Sequence, residues 1–146
     1  MNKAVLEFSS RTENVAFARV AVAAFVSQLD FTLSDIEEIK VAVSEAVSNA
    51  IIHGYGNNPD HTVRLELRVA EEYMEIEVID QGKGIKDISQ ALEPAYSTDP
   101  ERMGLGFAFM QSFMEKFSVQ STPGKGTRIK MSRRAGAPRQ AAVPEQ

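Results

Sequence analysis

Hydrophobic and polar positions follow two periods along this chain, and the changes from one to the other mark its elements. Residues 34–53 repeat at helical spacing: at about 100° per residue, Ile36, Ile39, Val43, Ala46, Val47 and Ala50 fall on one side, a stripe wide enough to pack against a sheet. A capping box from Ser34 to Glu37 is expected to open this helix, and Gly54 closes it. The opposite side carries Val41, Ala42 and Ile52, so Glu45 and Asn49, one turn apart, stand in largely apolar surroundings. A solvated helix face with two ordinary polar residues gives the same local pattern. An earlier helix, from a second capping box at Ser10 and Glu13 to about Gln28, follows a weakly alternating strand at residues 3–8. Val15, Ala18, Val22, Phe25 and Leu29 form its first apolar stripe, and Phe17, Val20 and Ala24 form a second. One stripe can face the sheet; the other needs a cover, from the neighbouring helix or from another chain. Arg19 is the lone charge among them and by itself reads as solvated.

The period then changes to two. Residues 62–70 place Val63, Leu65, Leu67 and Val69 on one face and Arg64, Glu66 and Arg68 on the other, and residues 73–80 continue with Met74, Ile76 and Val78 inward. The short Glu71-Glu72 connection predicts an antiparallel hairpin. Asp80 shares the inward face, where a carboxylate is costly unless it is hydrogen-bonded. Turn formers fill residues 54–61, and an irregular stretch from Ile85 to Met103 has the length of a functional lid. Gly104-Leu105-Gly106 opens another helix, with Phe107, Met110, Phe113, Met114 and Phe117 at helical spacing, and residues 118–121 and 127–131 form a last hairpin. The sum is an α/β two-layer sandwich, with a mixed, mostly antiparallel sheet and helices on one face. Residues 1–131 make a single domain, and 132–146, rich in Ala, Pro, Arg and Gln, read as a disordered tail.

Composition narrows the chemistry. A length of 146 residues, 43% hydrophobic, suits one globular domain, and a net charge of −4 argues against a dedicated nucleic-acid binder. The absence of Cys removes disulfides and thiolate chemistry and fits a cytoplasmic protein. The longest apolar run, residues 20–26, is too short to span a membrane. Three Gly-rich turns, 82–84, 104–106 and 124–126, are suited to anions, the middle one at a helix start. None continues into a P-loop or a dinucleotide fingerprint, so a nucleotide would be bound in another way.

Taken in order, Glu45-x-x-x-Asn49, Asp80-x-Gly82-x-Gly84, Gly104-x-Gly106 and Gly124-x-Gly126-Thr127 resemble the four boxes of the gyrase, Hsp90, histidine kinase and MutL ATPase superfamily, the Bergerat fold, over about residues 34–131. Residues 49–55, Asn-Ala-Ile-Ile-His-Gly-Tyr, look like the anti-sigma serine kinases, and the chain resembles the anti-sigma F factors of spore-forming bacilli. The resemblance implies ATP or ADP with Mg²⁺. Asp80 would accept the amino hydrogens of adenine, where guanine presents a carbonyl oxygen, and Thr127 would assist on the same edge. Asn49 would offer its amide oxygen to Mg²⁺, and Glu45 would be the general base. Gly82, Gly84, Gly104, Leu105 and Gly106 would bring backbone N–H groups to the phosphates, with Arg102 as countercharge. His53 and Lys83 match the motif context without a chemical role. The partners implied are a sporulation sigma factor, which the protein inhibits, an anti-anti-sigma protein phosphorylated on serine, and a second copy of the chain, with Arg19 as a contact. Two other readings stay open. One is a nucleotide-gated sigma-binding module without phosphotransfer, since Glu45 alone carries the base role. The other is a histidine-kinase catalytic module, against which stand the only histidines, His53 and His61, neither in a helical dimerisation segment.

Overall fold

The computed structural model describes residues 1–93 and 103–136. Its elements are β1 (Asn2–Ser9), α1 (Asn14–Val26), α2 (Leu33–Asn49), a π-helical turn (Ala50–Gly54), β2 (Thr62–Ala70), β3 (Tyr73–Asp80), α3 (Ile88–Ala91), α4 (Met103–Phe113), β4 (Lys116–Thr122) and β5 (Gly126–Arg134). The sheet runs in the order β1-β2-β3-β5-β4. Every neighbouring pair is antiparallel, so the expected two-layer sandwich forms without the parallel component of a mixed sheet. The excursion through α3 and α4 returns the chain so that the β4–β5 hairpin lays β5 against β3. That arrangement juxtaposes Asp80 and Thr127.

Alternation in the strands divides the two faces. Val63, Leu65, Leu67, Met74, Ile76, Val78, Ile129 and Met131 are buried, and α1, α2 and α4 supply Ala18, Val22, Ile39, Val43, Val47, Phe107 and Met110 to the same core. The other face is a ladder of ion pairs: Arg64 with Glu7 and Glu66, Arg68 with Glu66, Glu75 and Glu77, Arg128 with Glu77, and Lys130 with Glu75. Alternate charges along antiparallel strands place opposite signs beside each other, which solvates one face while the other is dry.

Several boundaries differ from the sequence reading. The capping box of α2 is Thr32 with Asp35, each side chain accepting the other's backbone N–H at 3.0 Å, not Ser34 with Glu37. Thr32 has the extended backbone that an N-cap needs, and it starts the helix one residue earlier. The Ser10–Glu13 box does not form, because Ser10 is buried and its hydroxyl donates to the Asn58 carbonyl, tying β1 to the loop before β2. Ala42 belongs to the core of α2, whereas Val41 is exposed. Phe117 lies on β4 and packs against Phe107 across the α4–β4 junction, so the helical spacing there was coincidental. Residues 132–134, expected to lie outside the domain, belong to β5, which continues to Arg134. There the Arg133 side chain is buried among Asp35 at 2.6 Å, Glu38 at 3.0 Å, the Phe113 carbonyl at 3.0 Å and the ring of Phe31.

Candidate functional site

The end of α2 is built so that backbone can approach backbone closely. After Asn49 the helix widens into the π turn, and Tyr55 N–H donates five residues back to the Ala50 carbonyl. Tyr55 is pinned from outside the helix: its hydroxyl donates to the Thr62 carbonyl and accepts the Gln81 N–H, both at 2.7 Å, and its ring stacks on His61. The turn therefore meets the loop that leaves β3. Lys83 N–H donates to the Gly54 carbonyl, and a Cβ on Gly82 would stand 2.0 Å from that oxygen. Only glycine fits at residue 82.

Beside these contacts lies a partly open cavity lined by Asn49, Ala50, His53, Gly54, Asp80, Gly84, Ile85, Phe107, Thr127 and Ile129. Its walls are largely apolar and its polar groups few, the composition of a site for a flat heterocycle with one hydrogen-bonding edge. Asp80 is buried; its Oδ1 accepts the Gly82 N–H at 2.9 Å, and Thr127 N–H also bonds to it. Burial pushes its carboxyl up to about 6, against the opposing pull of those two N–H groups. The carboxylate retains acceptor capacity toward the cavity, and Thr127, its direct cross-strand partner, brings a hydroxyl beside it.

Beyond the cavity, α2 and α4 converge. Glu45 is half-buried and Asn49 lines the cavity one turn on, while Gly104 to Gly106 form the first turn of α4. A Cβ on Gly106 would meet Glu45 Oε1 at 2.8 Å and Asn49 Nδ2 at 3.7 Å. Glu45, Asn49 and the α4 N-terminus are thus mutual neighbours. Burial raises the carboxyl of Glu45 above its usual range, which strengthens it as a base. The Asn49 amide has a buried Nδ2 without a hydrogen-bond partner among the described residues, and amide O and N are interchangeable by rotation. Such an amide fits a ligand for a hard cation. The described residues contain no cluster of three His, Cys, Asp or Glu, so a cation here would draw its other ligands from water and phosphate oxygens.

On the other side of Glu45 an open groove is lined by Arg19, Glu37, Lys40, Val41, Ser44 and Glu45. Arg19 is not simply solvated: its Nη1 donates to Ser44 Oγ at 3.1 Å, bringing α1 to α2 beside Glu45. Phe17 and Val20 of the second apolar stripe are exposed. Leu105 is 40% exposed and does not line the cavity. Arg102 lies outside the described residues. The structure therefore brings Glu45, Asn49, Asp80, Gly82, Gly84, Gly104, Gly106 and Thr127 to one region, with Arg19 on its rim. Sequence reasoning missed Ser121, whose hydroxyl accepts the Ile85 N–H at 2.7 Å and lies 2.8 Å from Thr127 Oγ1. A lone Ser in an edge strand carries no signal until its pairing is known. Tyr55 was legible only as part of the motif at 49–55.

With this geometry in hand, comparison with known proteins gives the class first: the profile of the histidine kinase-like ATPase domain matches residues 8–133, and the chain belongs to that family. The anti-sigma F factor of Clostridium botulinum (strain Eklund 17B / Type B) is 49% identical over 135 residues, 91% of this chain and 94% of its own length. That of Clostridium beijerinckii is 52% identical over 130 residues, 88% and 91% of the two chains, and that of Pasteuria penetrans 47% over 145 residues, 97% of each. Within the class, the chain is a member of the anti-sigma F factor family. A solved structure of the RsbU and RsbW domains of Rv1364c from Mycobacterium tuberculosis superposes over the whole chain with a TM-score of 0.67 at 18% identity, a likeness of fold, and the chain spans 35% of that protein. Among the described residues, no helix is long and apolar enough to cross a membrane.

Proposed function

We propose that the protein is an anti-sigma factor that binds and inhibits a sporulation sigma factor and acts as an ATP-dependent serine kinase on the anti-anti-sigma protein that competes for it. The anti-sigma part rests on the family. The kinase part rests on one observation above all: Glu45 lines the open groove together with Arg19, and Asn49, one helical turn further on, lines the cavity. A base in that position can serve a hydroxyl entering along the groove.

In this reading Asp80 accepts the adenine amino hydrogens, and Thr127 supplies a donor to the neighbouring ring nitrogen, directly or through water. Guanine would set its carbonyl oxygen against the carboxylate and leave two acceptors facing each other. Backbone N–H groups at the start of α4, where the helix dipole is positive, hold phosphate oxygens. Asn49 would hold Mg²⁺ through its amide, and the ion would supply positive charge against the phosphates. Glu45 takes the serine proton as the serine oxygen forms its bond to the γ-phosphorus and the bond to the ADP oxygen breaks. The protein works as a homodimer in the cytoplasm, with Arg19 and the exposed α1 stripe toward its partners.

Incubation of the chain with labelled ATP, Mg²⁺ and a candidate anti-anti-sigma protein, followed by phosphoamino-acid analysis, tests the reading. Phosphoserine on the partner is expected. ATP binding and sigma capture without phosphoserine would instead identify a nucleotide-gated binding module.

A further inference from the structure

Three residues lie in one row across the inner face of the sheet: Asp80 on β3 pairs with Thr127 on β5, and Thr127 pairs with Ser121 on β4. The first two face the cavity. Ser121 stands behind them, and its Oγ is a junction: it accepts the Ile85 N–H at 2.7 Å, lies 3.0 Å from the Gly126 carbonyl, and lies 2.8 Å from Thr127 Oγ1. Ile85 is itself part of the cavity wall.

A hydroxyl carries one proton and two lone pairs, so this junction has two arrangements. If Ser121 donates to Gly126, the Thr127 proton must turn back to Ser121, and Thr127 presents only lone pairs to the cavity. If Ser121 donates to Thr127, the Thr127 proton is free to point into the cavity. Adenine offers a bare ring nitrogen beside its amino group, and an acceptor there needs a donor opposite it. The second arrangement fits adenine, and it also leaves the Ser121 lone pairs for Ile85.

From this row we infer that Ser121 is a positioning residue for base recognition, holding the Thr127 hydroxyl in its donor sense and fixing the Ile85 wall. The inference rests on the adenine reading of the cavity. It gives a role to a residue that touches no ligand and acts through Thr127.

Calorimetric titration of ATP into the full chain and its Ser121→Ala, Ser121→Thr, Thr127→Val and double Ser121→Ala/Thr127→Val variants tests it. Ser121→Ala should lose about 3- to 10-fold in ATP affinity, the scale of one hydrogen bond, and Ser121→Thr, which keeps the hydroxyl, should recover it. In the Thr127→Val background Ser121→Ala should add almost nothing, because the residue through which it acts is already gone. Wild-type affinity in Ser121→Ala, or the same loss in both backgrounds, overturns the role of Ser121 and leaves the adenine site standing. Failure of the wild type to bind ATP removes the adenine reading itself. Should the alanine variant not fold, Ser121→Cys keeps the size, replaces the hydroxyl by a weak thiol, and reads the same cycle.

Discussion

Glu45 on α2 and Gly106 on α4 are in contact so close that one added carbon would displace the carboxylate: a Cβ on Gly106 would stand 2.8 Å from Glu45 Oε1. The atom it would meet is the free end of a side chain, so the fold can absorb the change. Alanine is also the better helix former, by about 1 kcal/mol in a helix interior. Gly106→Ala should therefore leave the melting temperature unchanged or raise it. Phosphotransfer should fall on the order of 10²-fold, because a base moved by about 1 Å loses its alignment. Thermal unfolding and phosphoserine formation, measured together, check this. A variant that keeps its activity would show that the position of Glu45 does not matter.

Glu45→Gln tests the same carboxylate by chemistry in place of position. Glutamine preserves shape and hydrogen-bonding but cannot take a proton from serine. Phosphotransfer should drop by about 10²- to 10⁴-fold while ATP affinity and sigma capture persist. Near-normal turnover would remove Glu45 as the base, and joint loss of turnover and ATP binding would make it a binding residue.

Asp80 gives the site a pH dependence whose sign can be worked out. Its carboxyl sits at about 6 in the fold, against an ordinary 3.8. The folded protein therefore holds this proton more tightly than the unfolded chain, and the group's contribution to stability declines as pH rises from about 4 to 6, by up to about 1.4 kcal/mol per pH unit. Adenine recognition runs the other way, since the ionised form is the better acceptor. ATP affinity should fall as pH drops through about 6, and in Asp80→Asn this dependence should vanish along with about 1 to 3 kcal/mol of binding. Titrations at pH 5 and pH 7.5 on both proteins decide it; a pH-independent wild type would show that Asp80 does not contact the base.

What could be read from the sequence was whatever depends on local period and local turn chemistry. Strands β2 and β3 appear at the bounds that alternation predicts, because one wet face and one dry face impose period two at every residue. The box at Glu45–Asn49 was visible because helical period sets two polar residues one turn apart in apolar surroundings, and that at Asp80–Gly84 because close backbone approach demands glycine at fixed spacing. Pairings across the chain were hidden. Ser10 looked like a helix cap and was claimed by Asn58, Phe117 matched a helical stripe from inside a strand, and Ser121 has no meaning until β4 lies against β5.

Arg133 shows the cost of such a hidden pairing. Composition assigned it to a tail, yet it joins the start of α2, the end of α4 and β5 through Asp35, Glu38 and the Phe113 carbonyl. Its side chain is 5% exposed, and its carboxylate partners are 20% and 27% exposed. Arg133→Ala removes the cation while those carboxylates retain some water, so a loss of about 2 to 3 kcal/mol is expected, below the full cost of stranding a buried charge. Denaturant unfolding measures it. An unchanged midpoint would mean that water replaces the guanidinium without cost.

Arg19 separates partner binding from nucleotide binding. It bonds Ser44, it makes no ion pair among the described residues, and it shares its groove with Lys40, whose ammonium is already paired with Glu37 at 3.1 Å. Among the described residues, the cation in the groove without an ion pair is therefore Arg19, and an acidic group on a docking protein is its natural complement. Arg19 does not line the cavity, so ATP has no direct means of sensing its substitution. Arg19→Glu should weaken capture of sigma factor and of the anti-anti-sigma protein by roughly tenfold or more, while ATP affinity stays within about twofold. Arg19→Lys keeps the charge and loses the planar fork, so it should fall between the two. Pull-down and calorimetry on the three proteins read both properties in one set of samples. If Arg19→Glu captures both partners normally, the groove beside Glu45 is not where they dock, and the acceptor serine must approach from another side.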